Sequence, residues 1–554
     1  METSRNLSID PKSGFCSNTK IYHSLRTPVP LPPETLPLSA AAQALSLLRN
    51  TKLSPENTTL LIDAATGYRL SHSQFLRRVK ALSANLQTKI GLSRGDTAFI
   101  LSPTSLQIPI LYFSLLSLGV VLSPANPTST KSEISNQIDI SKPVVAFATS
   151  ATAGKLPSFR RGTVLLDSPD FESMMTTTTM SGSELEPVEV KQLDPAAILY
   201  SSGTTGRVKG VVLSHRNLIA LIAGYNTLRT EKVEENPSPA VVLITVPLFH
   251  IFGLFMCVRA VALAETMVLM ERFDFEGMLK AIEAYKVGSM PVSPPLVVAM
   301  AKSELVDKYD LSSLQLVGSG GAPLGKEVTE RFASRFPNVE IGQGYGLTES
   351  TGGAARMVGP EEGKQYGSVG RLGENLEAKI VDPVTGEPLP PGQQGELWLR
   401  GPIIMKGYAG DDEATASTLD PKEGWLKTGD LCYFDSDGFL YIVDRLKELI
   451  KYKAYQVPPA ELEHLLQSHP EITDAAVIPY PDEGGGQIPM AYTVRKPGSN
   501  LTEAQVMDFI AKQVAPYKKI RKVAFINSIP KTPSGKILRR ELVNRSLSGP
   551  SAKL

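Results

Sequence analysis

Cysteine is scarce: Cys16, Cys257 and Cys432 are scattered through 554 residues without disulfide-like or metal-like spacing. That excludes a disulfide-framed secreted domain and favours a reduced interior compartment. Charge of one sign is also lacking. Lys and Arg total 57 against 56 Asp and Glu, a net of +1, so nothing global favours nucleic acid or an anionic membrane. Long hydrophobic runs are missing too. The most apolar stretch, 108–122, falls short of the roughly 20 residues a bilayer requires, contains serines, and reads as a buried helix. Residues 1–5 lack the charged and then apolar layout of a signal peptide. At 42% hydrophobic, the chain can fill several cores and should hold more than one domain.

What is present centres on Ser201-Ser202-Gly203-Thr204-Thr205-Gly206-Arg207-Val208-Lys209-Gly210, with three glycines and four hydroxyls in ten residues. An apolar strand at 196–200 leads in, and a helix could open at 215–224. Such a backbone folds around an anion with its N–H groups and hydroxyls as donors, and Lys209 adds charge. It is not a Walker A loop, because Gly206 is followed by Arg207. The bland alternative is a plain Ser/Gly turn.

Short strands (97–102, 144–148, 164–167, 240–246, 314–317) alternate with helices (40–48, 73–87, 108–122), the pattern of an α/β layered domain. Residues 1–35 read as an irregular lead-in, because Pro28, Pro30, Pro32 and Pro33 preclude a helix. Residues 174–182 read as a surface loop. In Gly342-Gln343-Gly344-Tyr345-Gly346-Leu347-Thr348-Glu349, the glycines let a flat ligand lie on backbone and Tyr345 offers a ring face. A Rossmann fingerprint would need a third glycine and a later acidic residue in a βαβ unit. Asp430 follows what reads as a tight turn, and 444–451, charged beside leucines, reads as an exposed connector. Beyond it, alternating elements make an α+β domain of roughly a hundred residues. Its turn Pro530-Lys531-Thr532-Pro533-Ser534-Gly535-Lys536 presents one lysine.

These motifs, in this order, resemble the adenylate-forming superfamily of acyl-CoA synthetases, 4-coumarate–CoA ligases and beetle luciferases. The phosphate loop there has the form [ST]-[ST]-G-[ST]-[ST]-G-x-x-K-G, and every position is filled here. The resemblance covers nearly the whole chain after about residue 40 and is closest to the peroxisomal, 4-coumarate–CoA-ligase-like branch of plants. It implies a large N-terminal domain of layered α/β subdomains (1–443) and a small mobile C-terminal α+β domain (444–554), hinged at 444–447. It also implies an ATP-dependent acid–CoA ligase that forms an acyl-adenylate and then a thioester. ATP, CoA and a carboxylic acid are the substrates, Mg2+ is the metal, and the enzyme is expected to be a monomer.

Residue by residue, Ser201, Ser202, Gly203, Thr204, Thr205, Gly206 and Lys209 would hold the pyrophosphate, Tyr345 would stack on the adenine, and Gln343 and Gly344 would also bind the nucleotide. Thr348 would touch the α-phosphate, Glu349 would hold Mg2+, and Asp430 and Arg445 would take the ribose. Lys447, Lys451 and Gln456 are also assigned to the nucleotide, and Lys536 is the catalytic lysine. His250, Phe252, Met256, Gly320, Gly321, Ala322 and Gly344 would line the acid, and Arg272, Lys453 and Ala454 would serve CoA. Two departures matter. Ala454-Tyr455 replaces Gly-Phe beside the CoA tunnel, and Phe252-Gly253 replaces Tyr-Ser in the acid pocket. The second, with Gly321 and Thr351-Gly352-Gly353, implies a roomier pocket for a fatty or oxylipin-type acid. A hydroxycinnamate is the alternative, and a luciferase-type oxygenase a remoter one. Ala552-Lys553-Leu554 is a relative of the S-K-L peroxisomal address, with the cytoplasm as the alternative location.

Overall fold

The computed structural model describes residues 8–177, 188–201, 208–231, 239–453, 455–482, 486–532 and 535–547. Two sheets form the body of a large N-terminal domain. One has seven strands, and its centre (Pro195–Ser201, Val121–Pro124, Thr97–Leu101, Val145–Ala148) is parallel. Every residue of Thr97–Leu101 is buried, which is why this strand is apolar from Ala98 on and does not alternate. The other has nine strands, with the parallel core Glu340–Tyr345, Leu316–Ser319, Ser289–Val292, Val241–Ile244, Thr266–Leu269 and Thr59–Asp63. One apolar core takes in helices Ala40–Arg49, Gln107–Ser117 and Ile251–Ala262.

A six-stranded sheet includes Glu377–Val381, Gly395–Arg400, Leu426–Phe434 and Leu440–Arg445. The C-terminal α+β domain has five strands and its own core, in which Leu462 and Leu466 of helix Pro459–Ser468 meet Val477, Ala491 and Val506. The fold class is as the motifs imply: a large α/β domain followed by a small α+β one. No described helix is long and apolar enough to cross a membrane.

Several local expectations are corrected. Residues 108–122 are two elements, helix Gln107–Ser117 and strand Val121–Pro124; between them Gly119 turns the chain at φ +66. The lead-in contributes strands Phe15–Cys16 and Ile21–His23, the latter pairing with Glu377–Val381. Met174 and Met175 are buried in helix Pro169–Thr176 instead of lying in a surface loop. Asp430 lies within strand Leu426–Phe434, not after a turn. The connector at 444–451 is only partly exposed: Lys447 and Lys451 face solvent, but Asp444, Leu449 and Ile450 are buried, and Asp444 accepts a bond from the Ala460 backbone N–H at 2.9 Å. A carboxylate at this position satisfies an open N–H at the start of helix Pro459–Ser468.

Candidate active site

Ligand sites of parallel sheets collect at the carboxyl ends of the strands. Here Val241–Ile244 leads to His250, Leu316–Ser319 to the Gly320 turn, and Glu340–Tyr345 to Thr348 and Glu349. A cavity of about 970 Å3 opens beside the last two of these strands and is closed by the small domain. Gln343, Gly344, Tyr345, Asp430, Arg445 and Lys536 are among its walls. Gly346 is required by a close approach, because a Cβ there would fall 2.3 Å from the Gly352 carbonyl.

The Tyr345 hydroxyl donates to Asp430 Oδ2 at 2.6 Å, and Arg445 Nε lies 3.2 Å from Asp430 Oδ1. Burial raises the Asp430 carboxyl and Arg445 opposes it; burial and the adjacent Asp430 charge push the Tyr345 phenol well up. Gln343 adds a buried amide Nε2 that has no hydrogen-bond partner. An orphaned donor, an aromatic ring and a buried carboxylate on one cavity wall can receive a flat, polar ligand such as a nucleotide.

Glu349 is buried and accepts bonds from Ser201 Oγ and Tyr408 Oη, both at 3.1 Å, while Lys209 Nζ stands 4.6 Å from the Tyr408 ring centre. Among the described residues no cluster of three or more His, Cys, Asp or Glu could cage a metal. A single buried carboxylate suits Mg2+, which keeps most of its shell for phosphate oxygens and water. Ser202, Gly203, Thr204, Thr205 and Gly206 lie outside the described residues.

Lys536 ends a turn closed by Thr532 N–H to the Lys536 carbonyl at 2.8 Å and Lys536 N–H to Thr532 Oγ1 at 3.1 Å, with Gly535 at φ +87. Burial holds its amine below the usual lysine range. Arg445 acts the same way, while Glu448 and Asp430 oppose. Three residues on, Arg539 donates to Glu448 at 2.6 Å, to Glu463 Oε2 at 3.0 Å and to the Val477 carbonyl at 2.9 Å. Sequence reasoning missed Arg539 and Tyr408. The first carried a signal, a charged residue close behind the lysine turn; the second sits in no motif and is placed by its pairing with Val211.

Gly321, Ala322 and Gly344 of the expected acid site are on the cavity wall; His250, Phe252, Met256 and Gly320 are not. His250 caps helix Ile251–Ala262, its Nδ1 accepting from Phe252 N–H at 3.3 Å, and burial pulls its pKa down to about 4, so the ring is neutral. The extra room expected from glycines is not there. A Cβ on Gly253 would fall 2.1 Å from the Pro247 carbonyl, and one on Gly353 would fall 2.8 Å from Leu221. Gly321 is needed for its φ of +83, and the Phe252 ring already covers Gly320. Arg272, Lys451, Lys453 and Gln456 are exposed and are not on the cavity wall. Lys447 faces Lys209 and Arg445, which with burial lower its amine. Ala454 lies outside the described residues.

Residues 48–409 match the family model of the AMP-binding enzymes, and 461–536 match that of the AMP-binding enzyme C-terminal domain. The chain is 59% identical over 559 residues to 4-coumarate–CoA ligase-like 9 of Arabidopsis thaliana, covering 99% of this chain and 98% of that one. It is 48% identical over 563 residues to peroxisomal OPC-8:0-CoA ligase 1 of the same plant, with 98% and 99% covered. In structure it resembles ATP-bound MatB from Rhodopseudomonas palustris, with a TM-score of 0.78 and 26% identity over 92% of this chain and 99% of that one. By sequence, by fold and by the cavity at its strand ends, the chain belongs to the AMP-binding enzyme family, and within it to the AMP-forming acyl-CoA ligases.

Proposed function

We propose that this enzyme joins a carboxylic acid to CoA through an acyl-adenylate, releasing AMP and diphosphate, with ATP as the activating substrate. The observation that carries the reading is the convergence of Gln343, Tyr345, Asp430, Arg445 and Lys536 on one cavity. A carboxylate is a poor acyl donor, and attack of its oxygen on the α-phosphorus brings two anions together. Lys536, partly desolvated, offsets that repulsion as a point charge, and the incoming anions favour its charged form. Tyr345 and Asp430 orient the nucleoside, Thr348 and Lys209 face the phosphates, and Gln343 supplies a polar donor. Glu349 would hold Mg2+, which would supply charge neutralisation at the phosphates. No proton relay is required, and in the thioester step the CoA thiol displaces AMP from the adenylate. We assign 1–443 to nucleotide and acid binding and 444–554 to the small domain that carries Lys536.

The acid we favour is a fatty or oxylipin-type one. The expected acid-site residues that do reach the cavity, Gly321, Ala322 and Gly344, offer no side-chain hydroxyl to a phenol, and a relative 48% identical is named for OPC-8:0. A hydroxycinnamate is the second reading. A relative 59% identical carries a 4-coumarate–CoA ligase-like name, which supports it. Ala552-Lys553-Leu554 would deliver the enzyme to peroxisomes through the import receptor. A panel of fatty, oxylipin and hydroxycinnamic acids, scored for CoA-dependent AMP release, tests the reading. Release with no acid of any class would overturn the ligase assignment, and release only with hydroxycinnamates would overturn the substrate choice.

A further inference from the structure

Helix Pro294–Lys302 belongs to the large domain, yet both of its ends meet the small one. At its start, a Cβ on Gly535 would lie 3.1 Å from Ser293 Cβ and 3.6 Å from Pro295 Cδ, so the turn that presents Lys536 rests on this end. At its finish, Lys302 Nζ donates to the Gln467 carbonyl at 3.0 Å and to the Ile472 carbonyl at 2.8 Å. From the neighbouring helix Lys326–Arg335, Arg331 Nη2 donates to the Ser468 carbonyl at 3.2 Å.

Gln467 and Ser468 are the last residues of helix Pro459–Ser468. The final carbonyls of a helix have no donors of their own, and its C-terminus carries partial negative charge, so two cations complete it. One turn earlier, His464 is pressed against Gly325, where a Cβ would fall 2.9 Å from the imidazole. Burial draws the Lys302 amine down to about 8, with Arg331 and Lys496 acting the same way, so this cation gives up water to make the contact. All these donors come from the large domain. The small domain's core (Leu462, Leu466, Val477, Val506) does not include them, so they act on where that domain sits and not on whether it folds.

We infer that Lys302, assisted by Arg331, is a positioning residue: an interdomain latch that holds the small domain where Lys536 lines the cavity. The helix between the two contacts is nine residues, roughly 13 Å, and rigid, so fixing its far end fixes the lysine turn at its near end. The latch serves adenylate formation and must be released whenever the small domain turns away. The assignment to that half-reaction rests on the function proposed above; the latch itself rests on the contacts alone.

The test is a distance measurement on the full chain with Mg2+ and ATP, using spin labels on Val384→Cys and Ala504→Cys. Both positions are exposed, while the native Cys16, Cys257 and Cys432 are buried and will not compete for label. The unlatched comparison is Lys302→Ala. The wild type should show one dominant distance, Lys302→Ala a second population, and Lys302→Arg the wild-type distribution. With the acid that the wild type turns over best, Lys302→Ala should slow adenylate formation by roughly tenfold to a hundredfold, the range of a lost charged hydrogen bond. CoA attack on supplied acyl-adenylate should stay level or rise, and Arg331→Ala should act in the same direction. An unchanged distance distribution in Lys302→Ala, or an equal fall in both half-reactions, would overturn the latch. If the wild type activates no acid, the proposed function fails while the distance measurement still decides the latch.

Discussion

The Tyr345 hydroxyl and the Asp430 carboxylate are 2.6 Å apart, and Arg445 closes on the other oxygen of the same carboxylate. One buried acid therefore sets the orientation of an aromatic plate on strand Glu340–Tyr345 and of a cation on strand Leu440–Arg445. Tyr345→Phe keeps the plate and loses the tether. Its KM for ATP should rise roughly tenfold, about 1.4 kcal/mol, with a smaller effect on kcat. An unchanged KM would mean that packing alone positions the ring.

Arg539 bonds Glu448 and Glu463 in the interior of the small domain. Arg539→Met leaves both carboxylates without a counter-charge, a loss of about 3–5 kcal/mol. Denaturant unfolding should show the C-terminal domain melting early. Arg539→Lys should not restore it, because a point donor cannot serve two carboxylates and a carbonyl at once. A Met variant as stable as the wild type would contradict this.

Much of this was legible in the chain itself. The Gly-Tyr-Gly run and the Lys536 turn are local patterns, and strand Pro195–Ser201 appeared close to where the apolar run at 196–200 put it. What could not be read was set by distant contacts. Strand Ile21–His23 exists because Glu377–Val381 offers it an edge, and Asp444 is buried because helix Pro459–Ser468 begins beside it. The glycines near the acid site looked like free space in one dimension. In three, Pro247 and Leu221 occupy it at Gly253 and Gly353.

Stability should depend on pH with a definite sign. Burial holds His215 and His250 down to about 4 from an ordinary value of 6.5. Between those values only the unfolded chain binds their protons, so their contribution is full above 6.5 and lost as pH falls toward 4. Asp444, pushed up to about 6 by burial, acts in the opposite sense between 3.8 and 6. The urea midpoint should therefore be lower at about pH 4.5 than at pH 7, less so in His215→Gln and more so in Asp444→Asn. A midpoint that rises on acidification would refute the burial of both rings.

Removing Ala552-Lys553-Leu554 should leave the purified enzyme fully active and shift a fluorescently tagged protein from peroxisomes to the cytosol. Peroxisomal location unchanged by the deletion would remove the basis for that address.

The central claim is that the charge on Lys536 makes the adenylate and is dispensable for the thioester. In Lys536→Ala, ATP–pyrophosphate exchange should fall by roughly 10² to 10³, the usual loss for one preorganised electrostatic donor. CoA attack on supplied acyl-adenylate should continue at close to the wild-type rate. Exchange that survives, or a common loss of both half-reactions, would contradict the account and leave Lys536 with a structural role alone.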